Sequence, residues 1–379
     1  MPNIRPNQPE PVPTPTAAAV QMVFPATAPK SSNELGVIQS DEFQVADLKR
    51  QNLPGVLSFS TLPSQEKYQQ AVNSLQSRVQ ADLNLQDLKQ PRDLYLRQNY
   101  QPILMTHPQP SPKGTVILFH GYTAGPWQFK EQAEAFFKAG YNVYVPRIPG
   151  HGLMKPDGTP TGEKMVDTWN MREYEHFVQE VHDEVKALGG PMQVVGLSGG
   201  SNLAIRMGER YDDLKSVIAM APYLGPDERI RPVSKVMQTL ERVSPLKVGR
   251  LLDFKNYNQN KKVALDHPMP HTQGTLNNAY AMLNVGVNVD KVKSPMQLIT
   301  TEQDLLAGTG AVEGLYQRSG GAGKNAWFHY QAKDKVPHAM ASRQQNTEPG
   351  QVDHLWQMIY KVIDQGELSE RLPEKNQDK

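Results

Sequence analysis

The chain has 379 residues, with 40 Lys and Arg against 39 Asp and Glu, and no cysteine. A net charge of +1 leaves no field to draw nucleic acid or an anionic membrane to its surface, and the missing thiols exclude disulfides, thiolate metal sites and a cysteine nucleophile. No run approaches the roughly 20 apolar residues that span a bilayer, so no integral membrane segment is expected. The first residues lack the basic start and apolar stretch of a secretory signal, which points to the cytoplasm; a chain whose signal had been removed would read the same.

Eight prolines fall within the first 30 residues, and proline withholds backbone donors and favours extended conformations, so residues 1–33 are expected to form a disordered tail. Residues 34–92 read as an N-terminal helical extension. Within it Tyr68, Val72, Leu75, Val79 and Leu83 recur at helical spacing behind Pro63-Ser64, predicting an amphipathic helix over about 64–89 that packs on the main domain.

From residue 93 strands alternate with helices, the order that builds an α/β domain with a mostly parallel sheet covered on both faces. Strands are predicted at 94–104, 114–119, 141–145, 192–197, 216–221, 295–301 and 325–331. Helices are predicted around 127–139, 169–188 and 202–210, with a closing one at 352–363. The core is thus assigned to 93–224 and 293–365, and 366–379 to a polar C-terminal tail.

The stretch 225–292 breaks the alternation and is expected to be a helical cap. Val233, Val236, Met237, Leu240 and Val243 make one apolar stripe; Leu276, Ala279, Tyr280, Leu283 and Val287 make another. Such stripes are usually buried packing. Met237, Leu240, Tyr280 and Leu283 are nonetheless candidates to line an apolar substrate pocket.

Gly196-Leu-Ser-Gly-Gly200 is a G-x-S-x-G pentapeptide set between a Val-rich strand and a helix, the context in which a tight turn pushes a serine out at the carboxyl edge of a sheet. A serine hydroxyl needs a base, which must lie on a loop at the same edge. Of ten histidines, His329 falls inside a strand, His354 inside the last helix and His176 and His182 inside a mid-chain helix; His267 and His271 lie beside prolines in the insertion, and His107 among prolines before the central strands. His338 follows the last strand and precedes the final helix, so it is the candidate base for Ser198. The acid that orients it should follow an earlier strand. Asp304 is the candidate, with Glu302 as runner-up and Asp334, on the histidine's own loop, third.

Two backbone donors must face the developing oxyanion, and the expected pair is the N–H of Gly199, at a helix N-terminus, and that of Tyr122. His120, with no carboxylate or histidine at ligand spacing, reads as a buried structural histidine and not as a metal ligand. Pro149-Gly-His-Gly152 reads as a turn beside the site, with His151 less favoured as a substrate contact.

Phe119-His-Gly-Tyr-Thr123, Pro149-Gly-His-Gly152, Gly196-Leu-Ser-Gly-Gly200, Thr301 to Asp304 and Pro337-His338, in that order, resemble the monoglyceride-lipase and serine-aminopeptidase-like branch of the α/β hydrolases over residues 93–365. The chain departs from that branch in carrying Leu197 where His or Glu often precedes the serine, and in an insertion longer than a short lid. The resemblance implies an α/β-hydrolase fold and two-step hydrolysis of a small-molecule carboxylic ester by a Ser-His-Asp triad, with no cofactor and no metal. An amidase or aminopeptidase, a thioesterase or acyltransferase, or a non-catalytic binding protein on the same scaffold are the alternatives. No pattern in the sequence marks the oligomeric state.

Overall fold

The computed structural model describes residues 49–52, 61–85, 94–158, 161–162, 164–167, 171–225, 253–254, 274–304, 307–345 and 350–373. The first part of the chain supplies β1 (Lys49–Asn52), α1 (Gln65–Leu83), β2 (Tyr95–Leu96), β3 (Ile103–Met105) and β4 (Thr115–Phe119). Then come α2 (Lys130–Lys138), β5 (Asn142–Val145), β6 (Leu153–Met154), α3 (Arg172–Lys186), β7 (Met192–Leu197), α4 (Gly199–Arg210) and β8 (Leu214–Met220). After the insertion's β9 (Asp253–Phe254), β10 (Gly274–Thr275) and α5 (Leu276–Val287) follow β11 (Met296–Thr301), α6 (Thr309–Arg318), β12 (Ala326–Tyr330), α7 (Gly350–Gln365) and β13 (Glu367–Glu370).

Seven strands form one sheet in the order β12-β11-β8-β7-β4-β5-β3, parallel throughout except for β3, which runs antiparallel to β5. Its central strands are buried on both sides, which is why they read as unbroken apolar runs in the sequence. Alternate residues of one strand feed two separate cores. Ile117, Phe119 and Val194 face the layer built from α1, α3, α4, α5 and α6, whereas Val116, Leu118 and Val195 face α2 and α7.

Helix α1 starts at Ser64, whose hydroxyl accepts from Lys67 N at 3.4 Å, and its Tyr68, Ala71, Val72 and Leu75 are buried in the first of these cores. Arg78 reaches across to Glu180 of α3 at 2.5 Å. The helix ends at Leu83, several residues short of the expected stop.

Several elements differ from the sequence expectations. Residues 367–370, expected in a polar tail, form β13, pair antiparallel with β1 and bury Leu368. Helix α6 escaped the pattern because Gly310 and Gly314 dilute its apolar side, although Val312, Leu315 and Tyr316 are buried. The insertion, expected to be helical, also contains the β9–β10 ribbon, and Val287 of the predicted stripe is 47% exposed at the end of α5. Residues 1–33 and most of 225–273 lie outside the described residues. Among the described residues no helix is long and apolar enough to cross a membrane.

Candidate active site

Because β4, β7, β11 and β12 are parallel, the loops that follow them emerge on one edge of the sheet, and these loops carry Tyr122, Ser198, Asp304 and His338 respectively. Ser198 joins β7 to α4 with φ 55° and ψ −119°, a left-handed conformation that side chains rarely adopt. The neighbouring glycines are required by close approach. A Cβ on Gly196 would stand 2.3 Å from Gly200 O, and one on Gly200 would stand 2.1 Å from Phe119 O. The turn is fastened to β8 by Ser198 N donating to Met220 O at 2.8 Å and by the Ser201 hydroxyl, 2.7 Å from Gly196 O and 2.6 Å from Met220 O.

His338 lies between the two other candidates: its Nε2 is 3.0 Å from Ser198 Oγ and its Nδ1 is 2.5 Å from Asp304 Oδ2. With Nδ1–H donating to the carboxylate, Nε2 is left as an acceptor aimed at the serine hydroxyl. The second Asp304 oxygen accepts from Ala307 N at 3.1 Å, and the residue is only 4% exposed. Glu302, the runner-up, does something else. Its exposed carboxylate accepts from Ala332 N at 2.8 Å and holds the start of the histidine loop. Asp334 likewise caps that loop, accepting from Gln331 N at 2.8 Å and pairing with Arg371.

Burial of the His338 ring opposes its protonation, but the charge of Asp304 and the hydrogen bond to it outweigh burial, so the pKa is raised from the ordinary 6.5. A base must be neutral to accept a proton, so kcat/KM should fall as pH drops through the raised value. The acid limb of a pH–rate profile is therefore expected above pH 6.5; a limb at or below it would contradict this electrostatic picture.

Gly199 is the first residue of α4, where an N–H has no acceptor within the helix. A Cβ at Gly199 would stand 3.2 Å from Tyr122 N, so the two expected donors are neighbours. The N–H of Gly121 is engaged by Gln128 Oε1 at 2.7 Å, leaving Tyr122 as the residue of this loop next to the serine turn. His120 is locked as a neutral ring: Ile148 N donates to its Nε2 at 3.1 Å and its Nδ1 lies 3.0 Å from Gly121 O, while burial followed by the nearby His151 holds its pKa well below the usual value. His151 is fully buried, with Nδ1 3.1 Å from Pro149 O and burial pushing its pKa down to about 4. Among the described residues no cluster of three or more His, Asp or Glu is arranged to hold a metal ion.

Of the four candidate pocket residues, Met237 and Leu240 lie outside the described residues. Tyr280 and Leu283 are buried on α5. Sequence reasoning missed Met282, whose Cγ would be 2.8 Å from a Cβ at Gly199 and which thus packs directly on the serine turn. Helix α5 is buried on most sides, Asn277 and Asn278 included, so an apolar stripe could not single out the side that meets the turn. Gln128 was missed as well, since nothing in Pro126-Trp-Gln-Phe129 marks a polar group that will fix a backbone donor.

A solved structure of a soluble variant of monoglyceride lipase from Saccharomyces cerevisiae, in complex with a substrate analog, shares the fold at a TM-score of 0.52 and 16% identity, covering 66% of this chain and 86% of that one. The thermostable monoacylglycerol lipase of Bacillus sp. (strain H-257) is 30% identical over 103 residues, which are 27% of this chain and 38% of the relative. The monoacylglycerol lipase of Mycolicibacterium smegmatis is 26% identical over 145 residues, 36% of this chain and 48% of the relative. The chain spans less than half the length of these curated relatives. The serine aminopeptidase S33 family, by contrast, matches residues 110–331, more than half of the sequence, and this match takes in the loop of Tyr122, the serine turn and Asp304. On that match, and with a mostly parallel sheet that delivers the serine turn at its carboxyl edge, the chain is an α/β hydrolase and belongs to the serine aminopeptidase S33 family.

Proposed function

We propose that the protein is a serine hydrolase that cleaves small-molecule carboxylic esters through an acyl-enzyme. The observation that carries this reading is the single imidazole of His338 set 3.0 Å from a serine hydroxyl on one side and 2.5 Å from a buried carboxylate on the other. Ser198 Oγ attacks the ester carbonyl as His338 Nε2 takes its proton, and Asp304 holds the ring in the tautomer this needs and faces the imidazolium as it forms. The carbonyl oxygen, now anionic, is held by the N–H groups of Gly199 and Tyr122, the former assisted by the α4 dipole. On collapse Nε2–H protonates the departing alcohol. A water then attacks the acyl carbonyl as Nε2 takes its proton, and collapse breaks the bond to Ser198 Oγ, which recovers that proton from Nε2 as the acid leaves.

The preference for an ester with an apolar part rests on Met282 at the serine turn, on the buried Tyr280 and Leu283 of the same helix, and on the lipase names of the partial relatives. The test is a fluorophosphonate probe, which should label Ser198 in the full chain, followed by p-nitrophenyl esters of increasing acyl length assayed beside aminoacyl p-nitroanilides. Ester turnover exceeding amide turnover, and rising with acyl length, is the expected result. No labelling would remove the hydrolase reading, and preferential cleavage of the anilides would replace the ester by an amide.

A further inference from the structure

We infer that Asp82, on helix α1 and outside the region matched to the family, is a positioning residue for the oxyanion loop, acting through Arg147 and the Pro149-Gly-His-Gly152 turn; this rests on the hydrolase reading above. The Arg147 side chain is 4% exposed and its guanidinium makes three directed contacts. Nε donates to Asp82 Oδ2 at 2.9 Å, Nη2 donates to Asp82 Oδ1, and Nη1 donates to His151 O at 2.8 Å. One planar group therefore fixes the turn at residue 151 to the carboxylate of a helix far away in sequence.

The turn in its place is joined to the loop that carries Tyr122. Ile148 N donates to His120 Nε2 at 3.1 Å, and the His151 ring stands edge-on to both His120, with centroids 5.2 Å apart, and Tyr122, with centroids 5.9 Å apart. A shift of the 147–152 turn thus presses on both flanks of Gly121, the residue between them, and on the ring of the residue whose N–H is proposed to meet the oxyanion. Helix α1 itself does not depend on this pair. Its Tyr68, Ala71, Val72 and Leu75 are buried in the core and Arg78 already ties it to α3, so a staple near its last turn adds little to its attachment. What the carboxylate does is local: it neutralises a buried guanidinium and dictates which way the fork points. Were Asp82 uncharged, Arg147 would be a buried cation without its counter-ion, and it would turn toward water and release His151 O.

The full chain is compared with its Asp82→Asn, Asp82→Glu and Arg147→Lys variants, using an ester substrate and a trifluoromethyl ketone that forms a tetrahedral adduct with the serine. Asp82→Asn should lower kcat about tenfold with KM within about twofold, because a misplaced donor weakens the transition state and not the ground state. Affinity for the ketone should fall by the same ratio. Asp82→Glu should recover most of kcat, and adding Asp82→Asn to Arg147→Lys should cost little more than Arg147→Lys alone. A purely structural pair would lower the melting temperature and leave kcat and ketone affinity unchanged in the folded protein, and that outcome overturns the inference. If the unsubstituted chain itself fails to react with a fluorophosphonate, the hydrolase reading falls and this inference with it; a reactive parent with an unaffected Asp82→Asn variant removes the inference alone.

Discussion

Replacing Ser198 by alanine is expected to lower kcat on an ester substrate by ~10⁴ to 10⁶-fold, with a melting temperature close to the parent's. The loss is large because the hydroxyl is the atom 3.0 Å from His338 Nε2, and no other hydroxyl is held against that nitrogen among the described residues. The fold should survive because the position is fixed by its backbone: Ser198 N still donates to Met220 O, and the glycines at 196 and 200 still let strand and helix meet. Alanine is as strained at φ 55° as serine, so neither state gains from the change. The check is kcat with a chromogenic ester beside a thermal melt, and turnover above about a hundredth of the parent's would sink the mechanism.

Asp304→Asn should be nearly as severe, at roughly 10⁴-fold in kcat, and Glu302→Gln should stay within about twofold. The direction follows from the hydrogen bonds. Oδ1 of Asp304 accepts from Ala307 N, so an asparagine keeps its carbonyl there and turns its NH₂ toward His338 Nδ1. That makes Nδ1 an acceptor, moves the ring proton to Nε2, and leaves a base that cannot take the proton of Ser198. A glutamine at 302 still offers a carbonyl oxygen to Ala332 N and touches neither ring nitrogen. Were Glu302→Gln the crippled variant and Asp304→Asn near normal, the acid would be the residue two positions earlier.

What the sequence made legible was whatever is fixed by position along the chain. The serine turn sits between a strand and a helix whose signals are local, and β7 runs from Met192 to Leu197 as the apolar run predicted. The choice of His338 needed only the order of strands and the rule that reactive loops share an edge. Asp304 was harder to separate from Glu302, since both follow β11; Asp304 is buried with an oxygen 2.5 Å from His338 Nδ1 while Glu302 is exposed and accepts from Ala332 N, and neither placement has a sequence signal. Contacts between distant segments were not legible. The pairing of β1 with β13, the approach of Met282 to Gly199 and the reach of Arg147 to Asp82 all join residues far apart in the chain, and single residues in unremarkable stretches carry them.

The positive φ of Ser198 means that the nucleophile of the proposed chemistry is also a residue that the fold would rather not have. Glycine occupies that region of backbone space without the Cβ clash, which for other residues costs on the order of 1 kcal/mol, so a chain selected for endurance alone would carry glycine at 198. Activity and thermostability are thus opposed at this single position, and attempts to harden the protein have their room elsewhere, in the surface helices and loops away from the serine turn.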